Sequence, residues 1–195
     1  MTNQTRPLKQ VLEALFFASN SPLSLKKIQT ILKEEFELDK KKLKEEIFNL
    51  QEEYSNEERA FEIKEIAEGY ILQSRPEFES YLQKLYPTKA IKLAPSSLEV
   101  LAIVAYRQPI TRAEIEHIRG VDCSYSLTQL LERQLVSNQN KLDAPGQPSL
   151  FETTPFFLEY FGLKNLKELP KLPEDHLTTT PSAQQALPDP VLTPE

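Results

Sequence analysis

The apolar positions divide the chain into two stretches that carry the same order of elements. In the first, Leu8, Val11, Leu12, Leu15 and Phe16 fall on one helical stripe, and Ala14, Phe17 and Ala18 widen it. Ser19-Asn20-Ser21-Pro22 ends that helix. A second is predicted from Ser24 to Glu35, burying Leu25, Ile28, Ile31 and Leu32. A third begins near Asp39, a good N-cap, with Leu43, Ile47, Leu50 and Tyr54 on one face and Phe48 beside them. Two alternating runs follow. Phe61, Ile63 and Ile66 mark one, with a slip in phase after Ile63; Tyr70 and Leu72 mark the other, with Ile71 on its opposite face. Glu68-Gly69 between them favours a tight hairpin. Pro76 then opens a helix to Leu85, whose stripe of Phe78, Tyr81, Leu82 and Leu85 is expected to close the first unit.

The second stretch repeats this order with stronger boundary signals. Pro95 and Ser96 precede a nearly all-apolar run from Leu98 to Tyr106, and Glu99 stands where a capping box with Ser96 needs it. Such a helix should be central and buried. Pro109 stops it. A second capping box, Thr111-Arg112-Ala113-Glu114, starts a short helix with Ile115 and Ile118 inward and Gly120 as C-terminal cap. A turn around Asp122 leads into Ser124 to Leu135, where Leu127, Leu130, Leu131 and Leu135 form a stripe; together these make a helix-turn-helix. Leu135 to Leu142 and Ser149 to Thr153 can pair as strands around the Pro-Gly turn chemistry of Asp143 to Pro148. Pro155 starts a last helix, aromatic at Phe156, Phe157, Tyr160 and Phe161, capped by Gly162; Leu163, Leu166 and Leu169 continue the ridge. The expected fold is mainly α with small β-hairpins (α+β): two tandem winged-helix domains and a disordered C-terminal tail. Residues 1–86 form the first domain, 87–94 a linker, 95–170 the second domain, and 171–195 a Pro/Thr-rich tail with too little apolar surface to offset ordering.

The run Leu101-Ala102-Ile103-Val104-Ala105-Tyr106-Arg107-Gln108-Pro109-Ile110-Thr111-Arg112-Ala113-Glu114-Ile115 resembles the bacterial segregation and condensation protein B family. The likeness continues in Ile118-Arg119-Gly120-Val121, Leu130-Leu131-Glu132-Arg133, Pro145-Gly146, Thr153-Thr154-Pro155-Phe156-Phe157-Leu158 and Phe161-Gly162-Leu163. Shorter matches lie in Glu13-Ala14-Leu15-Phe16-Phe17-Ala18, Pro22-Leu23-Ser24, Gly69-Tyr70 and Arg75-Pro76, so it spans Leu8 to Pro170. The resemblance implies a homodimer joined through the N-terminal winged helices. It also implies binding to the kleisin subunit of the bacterial SMC complex, much of it on the C-terminal domain, and through the kleisin a link to the SMC ATPase. The implied role is chromosome condensation and segregation during cell division, with no enzymatic activity and no cofactor. Three places depart from the family pattern: Gln147 where Arg is expected, Phe151-Glu152 where Tyr-Gly is expected, and the turn Asp122-Cys123-Ser124-Tyr125. None is expected at a core position.

Composition narrows the chemistry. A net charge of −6 over 195 residues argues against a protein that coats DNA, since phosphate neutralisation needs clustered Lys and Arg. A single cysteine, Cys123, allows no internal disulfide and fits a reducing cytoplasm. Met1 to Pro7 lack a secretory apolar core, and no apolar run approaches the ~20 residues that span a bilayer. A soluble, cytoplasmic protein with no membrane contact is expected, and the family resemblance implies association with the nucleoid. The four glycines are scattered and build no phosphate loop. Two histidines, one cysteine and no clustered carboxylates offer no zinc set. Cys123 with His117 nearby lacks an orienting third group and an oxyanion site, so a nucleophile there is disfavoured.

Contact surfaces remain. Leu12, Phe16 and Phe17 are the dimerisation candidates, against the reading that both phenylalanines are core. Phe156, Phe157, Tyr160 and Phe161 are partner-binding candidates because aromatic anchors dominate interfaces, against the reading that each packs the core. Arg107 and Arg112 join them, with Arg119 as a third cation, against surface ion pairing with Glu114 and Glu116. The alternative function is a winged-helix DNA-binding transcription regulator reading DNA with Ser124 to Leu135. That helix offers Gln129 and Arg133 for base contacts but thin phosphate anchoring, so DNA contact is expected to be indirect or weak. Lys40-Lys41-Lys42 reads as a solvated face or as a partner or DNA contact.

Overall fold

The computed structural model describes residues 7–56, 59–85 and 93–171. Most of the expected linker and the expected tail beyond Lys171 lie outside them. The chain divides into two compact units with the boundary between Lys89 and Ala90.

In the first unit α1 (Leu8–Ala18) buries Leu12 and Phe16, one helical turn apart. The two-residue strand β1 (Leu23–Ser24) follows, and Ser24 caps α2 (Leu25–Leu32) by accepting from the Lys27 N–H at 3.3 Å. α2 buries Leu25, Ile28 and Leu32; the expected core residue Ile31 is exposed, because it lies off that stripe. Asp39 caps α3 (Lys40–Asn56), its Oδ1 accepting from the Lys42 N–H at 2.6 Å. Leu43, Ile47, Leu50 and Tyr54 are buried as expected, and Phe48 is exposed beside them. The hairpin is β2 (Phe61–Ile66) and β3 (Gly69–Ser74), and β1 joins it to give the order β1-β3-β2.

Two details correct the expectation. The turn is centred on Ala67 and Glu68, both left-handed at φ +49° and +58°, rather than on Glu68-Gly69. Gly69 is instead the first residue of β3, paired with Ser24, and a Cβ there would stand 3.0 Å from the carbonyl carbons of Pro22 and Leu23. The slip in phase is real. Ile63 joins the helical core, whereas Ile66, an odd number of residues away, points to the other face of the strand and is buried outside that core.

The segment after β3 is a 3-10 turn (Pro76–Phe78) followed by the short helix α4 (Glu79–Leu85). The expected closing stripe does not pack: Tyr81 and Leu85 are 68% and 66% exposed, and Phe78 and Leu82 also lie outside the core cluster.

The second unit begins with α5 (Pro95–Arg107), which buries Ser97, Val100, Leu101, Val104 and Ala105. The capping box at Ser96 and Glu99 is not formed. Pro95 takes the first helical position, so Ser96 lies inside the helix, and Glu99 accepts from Arg119 at 3.0 Å. The second capping box is formed. β4 (Ile110–Thr111) leads into α6 (Arg112–Arg119), and Thr111 Oγ1 accepts from the Glu114 N–H while Glu114 Oε2 accepts from the Thr111 N–H at 2.8 Å. Gly120 ends α6 at φ +71°. Ile115 is buried, but Ile118 is 46% exposed and does not join the core.

α7 (Ser124–Glu132) ends three residues before the expected boundary, Gln134 adopting φ +57°; Leu135 is still buried, beyond the helix. β5 (Val136–Lys141) and β6 (Ser149–Thr153) form the wing, in a sheet ordered β4-β6-β5. α8 (Pro155–Tyr160) follows, capped by Thr154, and the chain returns to α5 where the Tyr106 hydroxyl donates to the Pro170 carbonyl at 2.7 Å. Each unit is therefore three helices with a short strand between the first two, closed by a hairpin. This is winged-helix topology twice over. The third strands, β1 and β4, were not expected, since two residues carry no readable period.

Candidate partner-binding surfaces

α8 sorts its aromatic rings to two sides. Thr154 accepts from the Phe157 N–H at 3.2 Å, and Pro155 stands at the first helical position, which sets the phase of everything after it. That phase drives Phe157 fully into the core and places Phe161, one turn on, at 8% exposure. Their rings are 4.9 Å apart at 53°, and Tyr160 meets Phe161 edge-on at 5.2 Å. Phe156 faces outward, 41% exposed, with Tyr160 half-buried 6.1 Å away. Of the four aromatic candidates, then, Phe157 and Phe161 are core residues with no side-chain surface to offer. Phe156 and Tyr160 are accessible.

Phe156 borders a groove of about 430 Å³ beside the edge strand β5, whose lining includes Leu131, Val136, Ser137, Asn138 and Pro155. At this edge the β5–β6 register slips between Ser137 and Asn140. The groove's lining combines the apolar side chains of Leu131, Val136, Pro155 and Phe156 with amide and hydroxyl side chains. Arg107 and Arg112 are not among its lining residues. Arg107 is the exposed last residue of α5. Arg112 donates to Glu116 and to Asp122, both at 2.7 Å, and Arg119 donates to Glu99 at 3.0 Å. The ion-pair reading holds for Arg112 and Arg119, although Glu114 serves the cap and Glu99, not Glu116, takes Arg119.

The Arg112 pairs belong to a network at the junction of α6 and α7. Asp122 accepts from the Ser124 N–H and hydroxyl, at 3.0 and 2.7 Å; these bonds, before any nearby charge, hold its carboxyl below the usual range. Glu116 accepts from the Cys123 N–H at 3.3 Å, with the Cys123 thiol 3.8 Å from the same oxygen. Burial, reinforced by Glu116, pushes that thiol up to about 11. An activated nucleophile needs the opposite shift. The expectation that no departure from the family pattern touches the core is corrected at two places: Cys123 and Phe151 are both buried. Phe151 keeps an aromatic ring where Tyr was expected, so the core loses no volume.

In the first unit, Leu12 and Phe16 are core residues at 0% and 1% exposure, Phe16 packing against Tyr70 at 6.5 Å. Their helical phase points them at α3 and β3, which removes them as dimer contacts. Phe17, one residue on, is 81% exposed. α4 carries the apolar face missed above. Its signal, a stripe at Phe78, Tyr81, Leu82 and Leu85, was read as core because periodicity marks a face without saying what covers it. Among the described residues, no three or more His, Cys, Asp or Glu stand together as metal ligands, and no helix is long and apolar enough to cross a membrane. His176 lies outside the described residues. α7 contains no Lys or Arg, and the first cation after it is Arg133.

These units and their exposed apolar side chains define a tandem winged-helix protein. The profile of the family described as segregation and condensation complex subunit ScpB matches residues 10–172. The chain is 46% identical over 168 residues to segregation and condensation protein B of Ruminiclostridium cellulolyticum, covering 86% of each chain. It is 45% identical over 174 residues to the protein of that name from Geobacillus thermodenitrificans, covering 88% of this chain and 81% of the relative. A solved structure described as a dimer of the ScpB N-terminal domain complexed with ScpA peptide is 32% identical, covering 44% of this chain and 98% of that chain, with a TM-score of 0.38. The chain belongs to the ScpB family of segregation and condensation complex subunits.

Proposed function

We propose that the protein is a non-enzymatic, homodimeric adaptor. It binds the kleisin subunit ScpA and, through it, the SMC ATPase, in the cytoplasm at the nucleoid, and so supports chromosome condensation and segregation. The observation that carries this is family membership running through both winged-helix units, residues 10–172. The reading extends to this chain the dimer and the ScpA peptide of the N-terminal-domain complex. The first unit serves self-association. In the second, the groove beside Phe156 and edge strand β5 suits a kleisin segment: its apolar lining takes side chains, and an edge strand can pair with an added strand. ATP hydrolysis belongs to the SMC partner, and the adaptor's part is to hold a kleisin segment in one conformation.

The transcription-regulator reading draws no support from the site, since α7 lacks cations and Arg112 and Arg119 are engaged in ion pairs. Light-scattering mass on size exclusion tests the proposal. The chain alone should run as a dimer and shift to a larger stable species with the kleisin encoded in the same genome. A monomer that ignores the kleisin would refute it.

A further inference from the structure

We infer that the chain beyond Lys171 docks on its own groove beside β5, the stretch Leu177 to Thr180 adding a strand to the free edge, and so holds the site against the kleisin until it is displaced. This rests on the groove reading above and gives that site a regulator. Charge is the first observation that carries it. Asp, Glu, Lys and Arg make up 27% of the chain, yet none of them lines the groove, where Leu131, Val136 and Phe156 stand among hydroxyl and amide side chains. Such a site penalises a charged occupant, because nothing in it offsets the lost hydration. Leu177 to Leu187 carries no charged residue, although Asp175 and Asp189 stand on either side of it.

Position is the second. The Tyr106 hydroxyl holds the Pro170 carbonyl, and Gln108, two residues further along, holds Thr153, the neighbour of the groove residue Thr154. The chain is thus released at the end of α5 that carries the groove. From Lys171 to Leu177 an extended chain spans about 20 Å. The third is the backbone. β5 ends the order β4-β6-β5, so one of its edges has no strand partner among the described residues, and such an edge accepts an extended segment. Thr178-Thr179-Thr180 is a β-branched run with strand propensity, and Pro173 and Pro181 bound it on both sides. Leu177 supplies the one large apolar side chain that the lining of Leu131, Val136 and Phe156 accepts. The segment is too poor in apolar residues to order by itself. On a surface already formed it needs to fix only a few residues, and the tether holds it there at an effective concentration of about millimolar.

The test uses the full chain with one substitution, Thr179→Pro, which removes a ladder donor without changing charge. Hydrogen–deuterium exchange of the free protein should be slower in the wild type than in the variant, both along Val136–Lys141 and along Leu177 to Thr180. Calorimetric titration with the purified kleisin should show the variant binding about tenfold more tightly, the gain expected when the tail occupies the groove about nine-tenths of the time. Leu177→Asp should act in the same direction by placing a charge in an uncharged site. Equal exchange, or equal kleisin affinity, in wild type and Thr179→Pro overturns the inference. Phe156→Ala in the Thr179→Pro chain then separates the two readings. If it weakens the kleisin, the groove remains the kleisin's; if it does not, that assignment falls as well.

Discussion

Gln108 and Thr153, 45 positions apart, share one side-chain oxygen: Gln108 Oε1 accepts from the Thr153 N–H at 2.6 Å and from its hydroxyl at 2.9 Å. The pair ties the end of α5 to the last residue of β6 and so fixes where the wing leaves the helical core. Gln108→Ala leaves a part-buried N–H without that acceptor, which should cost about 1–3 kcal/mol. Urea denaturation of the variant should show a lower midpoint with an unchanged slope.

The capping box on α6 makes the second unit sensitive to acid. The Thr111 hydroxyl donates to Glu114 at 2.7 Å, and this bond, followed by that from the Thr111 N–H, lowers the Glu114 carboxyl below its ordinary 4.5. A carboxyl lowered by folding adds stability that is present above its unfolded value and lost as pH falls through the folded one. Thr111→Val should cost about 1 kcal/mol at neutral pH through the lost cap. Its decline below pH about 4.5 should also be shallower than that of the wild type, because less of the shift remains to be lost. Thermal melts at a series of pH values would show both effects.

Cys123 should be inert in the folded protein. Its thiol lies at about 11, against an ordinary 9.0, because it is buried beside Glu116. Two pH units cut the thiolate roughly hundredfold, and burial slows access further. Labelling with a thiol-specific chromogenic disulfide at pH 8 should be slow in buffer and fast in denaturant. Fast labelling of the native protein would contradict the placement of this side chain.

Two glycines separate steric from conformational cost. A Cβ at Gly69 meets the backbone of Pro22 and Leu23 at 3.0 Å, whereas one at Gly120 meets nothing within 4 Å and bears only the left-handed φ of +71°. Gly120→Ala should therefore cost about 1 kcal/mol. Gly69→Ala should cost more, about 1–3 kcal/mol, since β1 must move away from β3. Chemical denaturation of the two variants gives the order directly.

Neighbouring phenylalanines on α8 should behave oppositely. Phe157→Ala opens the core of the second unit and should cost about 3–5 kcal/mol. Phe156→Ala removes a half-exposed ring and should change stability by no more than about 0.5 kcal/mol. On the proposed function it should weaken kleisin binding, which isothermal titration with the purified partner would read. An unaltered affinity would move the kleisin away from this groove.

Much of the fold was legible because both units follow simple periods. Leu43, Ile47, Leu50 and Tyr54 announce a helix face, and Thr111 with Glu114 announces a helix start. The misses share a cause. Ser96 and Glu99 have capping-box spacing, but Pro95 already occupies the first turn, so the helix begins before the serine can cap it. Phe78 to Leu85 and Ile118 have apolar spacing, but hydropathy records that a face is apolar and not which surface meets it. The aromatic candidates were legible as a cluster and not as individuals. Phe156 and Phe157 are alike in composition, and only the helical phase set by Thr154 and Pro155 sends one to the core and the other to solvent.

The turn between β2 and β3 bears on how the first unit assembles. Ala67 and Glu68 form a two-residue loop with left-handed φ at both positions, a geometry whose twist suits a hairpin but which costs a residue other than glycine about 1–2 kcal/mol. A two-stranded hairpin is marginal on its own in water. This one gains a third strand, Leu23 and Ser24 pairing with Tyr70 and Gly69 across more than forty intervening positions. Closure of this hairpin is therefore coupled to arrival of the segment between α1 and α2. Such non-local pairing slows folding relative to a helix bundle of the same length.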